Sequence, residues 1–146
     1  MNQAFFLIPS NSGFLQEIGL YMYDEKKLVI DEEDTILEVI KCCLEDLAGW
    51  EVHAVTSGKQ GLMVAQKQHF DAVLLDVSMP EMDGIQTVEK LQENPQTNYL
   101  PVILLTAKVQ PNDRDRFSQL KIARTLAKPF NPMTLVQQVA KVLHWD

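Results

Sequence analysis

The sequence predicts an α/β fold: a parallel sheet of five strands alternating with five helices that cover both of its faces. Three observations lead there. From Lys27 onward, short apolar runs alternate with amphipathic stretches over about 120 residues. Two of the runs, AVLLD (72–76) and PVILLT (101–106), are almost wholly apolar, as strands covered on both sides must be. The polar residues able to do chemistry stand where the runs end, and the carboxyl ends of the strands are where such a sheet presents its functional groups.

Each element has its own signal. KLVI (27–30) reads as the first strand and runs into three acids, Asp31, Glu32 and Glu33. Residues 34–47 place Ile36, Val39, Ile40, Cys43, Leu44 and Leu47 near a helical period, and Gly49 stops that helix. EVHAV (51–55) is the second strand, and Ser57 opens a helix over 57–68. After the third strand, GIQTVEKLQE (84–93) is helical until Asn94-Pro95 ends it. The fourth strand is followed by a helix expected over 112–120. RTLA (124–127) is a short fifth strand, and Asn131-Pro132 opens a last helix over 133–144.

Composition narrows the function. At 146 residues the chain is long enough for one domain with a substantial core. Thirteen Lys and Arg against twenty Asp and Glu give a formal charge of -7, which offers no general attraction to phosphate backbones or anionic lipid. Nucleic acid is disfavoured as a partner. No apolar run approaches the 18 residues of a membrane span. Cys42 and Cys43 are adjacent and fit neither a disulfide framework nor a metal spacing, so a reducing, cytoplasmic setting is expected. Residues 1–26 fall outside the alternation and hold five of the eleven aromatics, Phe5, Phe6, Phe14, Tyr21 and Tyr23. This extension is expected to be a docked helix, a partner or dimer arm, or a leader.

The strand ends carry the chemistry. Asp31 and Glu32 follow the first strand, Asp76 ends the third, Thr106 the fourth, and Lys128 follows the fifth. Carboxylates converging from separate strands repel one another unless a cation joins them. Mg²⁺ takes oxygen ligands and binds through one or two carboxylates plus a phosphoryl group. The lysine supplies a point charge for a phosphoryl oxygen and the threonine a hydrogen-bond donor. An aspartate can itself attack phosphorus to form an aspartyl phosphate.

The stretches LVIDEE (28–33), LLDVSMPEMDG (74–84), VILLTA (102–107) and AKPF (127–130), in this order and separation, resemble the response-regulator receiver domain. The likeness covers roughly 27–146. It implies a doubly wound, flavodoxin-like sheet of strand order 2-1-3-4-5 with five helices. It implies that Asp76 accepts a phosphoryl group from a phosphohistidine on a histidine kinase or phosphotransfer protein. Asp31 and Asp76 would hold Mg²⁺, Glu32 would act directly or through water, and the backbone carbonyl of Ser78 would complete the protein ligands. Thr106 and Lys128 would each meet a phosphoryl oxygen, and Lys128-Pro129 would be cis. A signalling switch is implied rather than an ordinary turnover enzyme. With no room for an output domain in 146 residues, the expected role is a stand-alone receiver. It would signal by protein contact through the face of the fourth helix, fifth strand and fifth helix, or relay the phosphoryl group, and it could form a homodimer. The alternatives are a receiver-like module working without phosphorylation, and an Mg²⁺-dependent phosphatase that forms an aspartyl phosphate. The phosphatase would want a second Asp where Ser78 stands.

Four positions depart from the family's usual pattern. The acidic pair is Asp-Glu, Thr125 replaces a common aromatic, Lys121 replaces a common glycine, and Ser78 is compact. A positive φ at Lys121 would strain the turn. Other signals are weak. SGKQG (57–61) lacks the spacing of a nucleotide loop. His53, His69 and His144 set no ligand spacing. Met79 and Met82 read as cover for the loop beside the site. Arg114, Arg116, Lys121 and Arg124 form a modest basic face, and Trp145 packs or makes a contact near the end.

Overall fold

The computed structural model of the chain describes residues 25–107, 115 and 118–142. The strands are β1 (Lys26–Ile30), β2 (Glu51–Val55), β3 (Ala72–Asp76), β4 (Val102–Thr106) and β5 (Arg124–Ala127). The helices are α1 (Asp34–Cys42), α2 (Gly58–Lys67), α3 (Gly84–Glu93) and α4 (Pro132–Val142). The strands form one sheet in the order β2-β1-β3-β4-β5, every neighbouring pair parallel. Parallel neighbours need crossovers, and α1, α2 and α3 supply those between consecutive strands from β1 to β4.

One part of the expected architecture is corrected. Among the described residues there are four α-helices, not five. The helix expected over 112–120 falls mainly outside the described residues. Of that stretch Asp115 and Ser118 are described and helical, and Leu120 packs against the core, but no helix is bounded there among the described residues. The first helix also departs from a single expected run over 34–47. Its α-winding ends at Cys42 and a π-helical turn follows over Cys43–Leu47. Gly49 stops it as expected, in the left-handed region at φ 73°.

Alternation along the strands divides the core in two. Leu28, Ile30, Val73, Leu75, Val102 and Leu104 face α2 and α3 with Phe70, Ile85, Val88 and Leu91. Val29, Leu74, Ile103, Leu105 and Leu126 face α1 and α4 with Ile40, Leu44, Leu135 and Val139. Burial on both faces explains why β3 and β4 lack polar residues before their ends. Ser57 caps α2 by accepting from the Gln60 N–H. Asp83 and Gln86 form a reciprocal capping box at the start of α3. Among the described residues, no helix is long and apolar enough to cross a membrane.

Candidate functional site

The parallel strands end at one level, so register decides which side chains meet. Ile30 pairs with Leu75, Asp76 with Leu105, and Thr106 with Ala127. The next residues after β1 and β5 are Asp31 and Lys128. Asp31, Asp76 and Thr106 are buried at 0%, 3% and 5% exposure. The Lys128-Pro129 peptide is cis, as the resemblance implies. Phe130, packed against the α1 and α4 side of the core, anchors the same turn.

Lys128 is the centre of the site. Its Nζ donates to Asp31 Oδ2 at 2.7 Å and lies 3.2 Å from Asp76 Oδ1. Asp76 Oδ1 also accepts from the Ser78 N–H at 3.4 Å, and Asp31 Oδ1 accepts from the Glu33 N–H at 2.9 Å. Burial and then the Asp31 charge push the Asp76 carboxyl above its ordinary range, against the opposing pull of Lys128. Burial alone would lower the Lys128 ammonium, but its bonds to Asp31 and Asp76 outweigh it and the pKa rises. One lysine therefore leaves the pair of carboxylates short of positive charge.

That deficit, with oxygen donors only, fits a hard divalent cation. Among the described residues no three His, Cys, Asp or Glu side chains converge into a ready cage. An ion here would rest on one or two carboxylates and draw its other ligands from carbonyl, water or phosphoryl oxygen, the pattern of Mg²⁺. Asp31 and Asp76 are the carboxylates placed to hold it.

The residues singled out in the sequence do not all meet at one point. Asp31, Asp76 and Lys128 are in contact, and Thr106 is buried at the end of the adjoining strand. Glu32 is exposed and lines a polar cleft with Ser78, Met79, Pro80 and Asp83. Glu33 was not among the expected site residues, yet its Oε1 lies 3.7 Å from Lys128 Nζ. Three consecutive acids offer no periodicity that tells which one turns toward the lysine.

The loop beyond Asp76 is built for close approach. Gly84 starts α3 directly behind β3, where a Cβ would lie 2.4 Å from the Asp76 carbonyl oxygen and 2.7 Å from Val77 Cα. Met79 is buried in the core beneath the loop, and Met82 lies against α2 at Gly58. Lys121 does not carry the strain considered for it. Among the described residues, the non-glycine with positive φ is Glu81, at 64°. Thr125 is exposed on β5. His53 meets Phe70 edge to face, and His69 stacks on Tyr99, so both have local partners. Arg114, Arg116, His144 and Trp145 lie outside the described residues.

The comparisons with known proteins agree with this geometry. The family model of the response regulator receiver domain matches residues 28–140. The transcriptional regulatory protein SrrA of Staphylococcus aureus is 35% identical over 116 residues, which are 80% of this chain and 46% of the relative. The chain thus spans about half the length of the curated relatives it matches. Chemotaxis protein CheY4 of Vibrio cholerae superposes with a TM-score of 0.75 at 32% identity, over 81% of this chain and 98% of that one. The receiver domain of sensor histidine kinase PA1611 from Pseudomonas aeruginosa PAO1 was solved with a magnesium ion coordinated in its active site cleft. It gives 0.75 at 27% identity, over 84% and 99%. With a parallel sheet of order 2-1-3-4-5 and an Asp–Asp–Lys centre at its carboxyl end, the chain belongs to the response regulator receiver domain family, the phospho-accepting switches that histidine kinases and phosphotransfer proteins serve.

Proposed function

We propose that Asp76 is the phosphoryl acceptor of this chain and that Asp31, Thr106 and Lys128 serve the transfer. The observation that carries this reading is the shared contact of Lys128 Nζ with Asp31 and Asp76 at the end of the sheet. An Asp76 carboxylate oxygen attacks the phosphorus of a phosphohistidine. The new O–P bond forms as the P–N bond breaks, and the electron pair of that bond stays with the imidazole nitrogen. Lys128 moves from the carboxylates to a phosphoryl oxygen, and the Thr106 hydroxyl donates to another. Mg²⁺, when bound, offsets charge on the transferring group. Asp31, Asp76 and the Ser78 carbonyl would hold it, with Glu32, across the cleft from Ser78, joining directly or through water.

Phosphorylation adds about 1.5 to 2 negative charges at this point and shifts an equilibrium between resting and active forms. Output then passes by protein contact, through β5, α4 and the segment before β5, or by onward transfer of the phosphoryl group. The extension expected over residues 1–26, whose last residue begins β1, has an apolar content that suits a docked helix or a partner or dimer arm. The free thiols of Cys42 and Cys43 suit a cytoplasmic setting.

The test is incubation of the chain with phosphoramidate and Mg²⁺, followed by intact mass. A gain of one phosphoryl group that disappears in Asp76→Asn is the expected result. No gain from phosphoramidate or from a phosphorylated histidine donor would favour a module working without phosphorylation. Repeated turnover of a phosphoester would favour the phosphatase.

A further inference from the structure

Glu33 occupies the position that should cap α1 but does not cap it. It is the N-cap residue, and its side chain makes no cap hydrogen bond. The carboxylate reaches instead to Lys128, with Oε1 at 3.7 Å from Nζ. Its backbone is fixed as well, because the Glu33 N–H donates to Asp31 Oδ1 at 2.9 Å. Lys128 is therefore shared among three carboxylates at graded distances: Asp31 at 2.7 Å, Asp76 at 3.2 Å and Glu33 at 3.7 Å. The first two are buried. Glu33 is 57% exposed and stands on the solvent side of the lysine.

We propose that Glu33 is a positioning residue that competes for Lys128 in the unphosphorylated chain and so slows phosphoryl uptake. The proposal rests on the reading that Lys128 meets a phosphoryl oxygen during transfer. Before transfer, the lysine must leave part of its carboxylate shell. An exposed carboxylate at the mouth of the site adds a competing partner and a like charge toward an anionic donor. Once Asp76 carries a phosphoryl group, its doubly charged oxygens outbid a partly solvated carboxylate. Glu33 is then released to solvent or to the uncapped N–H groups of α1. Glu33 thus sets how readily the lysine is handed over, without touching the phosphorus.

Two variants separate a hold on the lysine from charge alone. Glu33→Gln keeps the length and removes the charge. Glu33→Asp keeps the charge but is one methylene shorter, which loses the reach to Lys128 and favours capping of α1. Initial rates of phosphoryl uptake from phosphoramidate with saturating Mg²⁺ are read by intact mass. Both variants are expected to react about two- to fivefold faster than the parent, the range of an exposed ion pair. The Glu33→Gln acceleration is expected to fade as salt rises from about 0.05 to 0.5 M, because surface charge is screened. A merely structural role would not give that salt dependence. Unchanged rates in both variants, or acceleration by Glu33→Gln alone, would overturn the proposal while leaving the acceptor assignment standing. No uptake by the parent chain would remove the acceptor assignment and this proposal together.

Discussion

Lys27 and Lys128 lie at opposite ends of the sheet, and each is packed beside carboxylates. At the amino end, Lys27 is fully buried, its Nζ 2.7 Å from Glu25 Oε1 and 4.4 Å from the centroid of the Trp50 ring. At the carboxyl end, Lys128 is 11% exposed and shared among Asp31, Asp76 and Glu33. Burial dominates at Lys27 and lowers its pKa despite the Glu25 bond. Burial likewise raises Glu25. Two carboxylate contacts dominate at Lys128 and raise its pKa. The amino end thus holds Lys27 against Glu25, with Asp71 close to both, and completes the packing under Trp50. The carboxyl end holds one cation among too many anions, and it keeps a reason to exchange partners. Being buried and paired is common to both lysines; the pKa of the sealed one falls, and that of the partly open one, bonded to Asp31 and Asp76, rises.

The largest expected difference between the ends is chemical. Lys128→Met should slow phosphoryl uptake about 100-fold, the scale of losing one preorganised charge or donor in a transfer site. Lys27→Met should leave the rate within about twofold, as it lies at the far end of the sheet. Initial rates with phosphoramidate and Mg²⁺ compare the two directly.

Stability should show the opposite ranking. Glu25→Ala leaves the Lys27 charge buried without this carboxylate and should cost about 3 kcal/mol, the lower end for breaking a buried pair. Glu25→Leu combined with Lys27→Met should come within about 1 kcal/mol of the parent, since packed apolar groups replace such pairs well. Urea unfolding measures both. At the carboxyl end, Gly84→Ala forces a Cβ against the backbone of Asp76 and Val77 and should cost about 2 kcal/mol, with a change in uptake because α3 is pushed from the acceptor.

The smallest effect has the most informative sign. The Asp76 carboxyl is held above its ordinary range, so its ionised form opposes folding in the absence of a cation. Asp76→Asn should therefore raise stability without Mg²⁺. The gain is full above the raised pKa, where the parent is ionised. It fades as pH falls through that pKa and is gone below the ordinary carboxylate value, where both forms are neutral. Unfolding midpoints across this pH range, without metal, check it. A loss of stability at neutral pH would mean that the Lys128 contact outweighs burial and Asp31.

Much of this contrast was legible in the amino-acid sequence, and unevenly so. AVLLD and VILLT could only be strands covered on both faces, and each ends on a reactive residue, so Asp76 and Thr106 were visible at once. The start of α3 at Gly84 was read from the helical stretch alone, and the Asp83–Gln86 capping box that fixes it came from the structure. Asp31 and Lys128 follow from the same rule of strand ends. Glu33 does not, because three consecutive acids at a turn leave their directions to the local backbone. Lys27 reads as a polar start to a strand, and only the Trp50 ring across the β1–β2 pair shows why it is buried. The π-helical turn after Cys42 leaves no mark in a pattern that fits α-helical spacing through Leu47.

The central claim is that the carboxyl-end cluster delivers a phosphoryl group to Asp76. Borohydride reduction of the freshly phosphorylated chain, followed by peptide mass mapping, tests it most directly, because an acyl phosphate is reduced to the alcohol while a free carboxylate is not. The account predicts homoserine at position 76 and an unchanged Asp31, Glu32, Glu33 and Asp83. Reduction at any of those four with Asp76 intact, or no reduced residue in a chain that has gained phosphoryl mass, would contradict it.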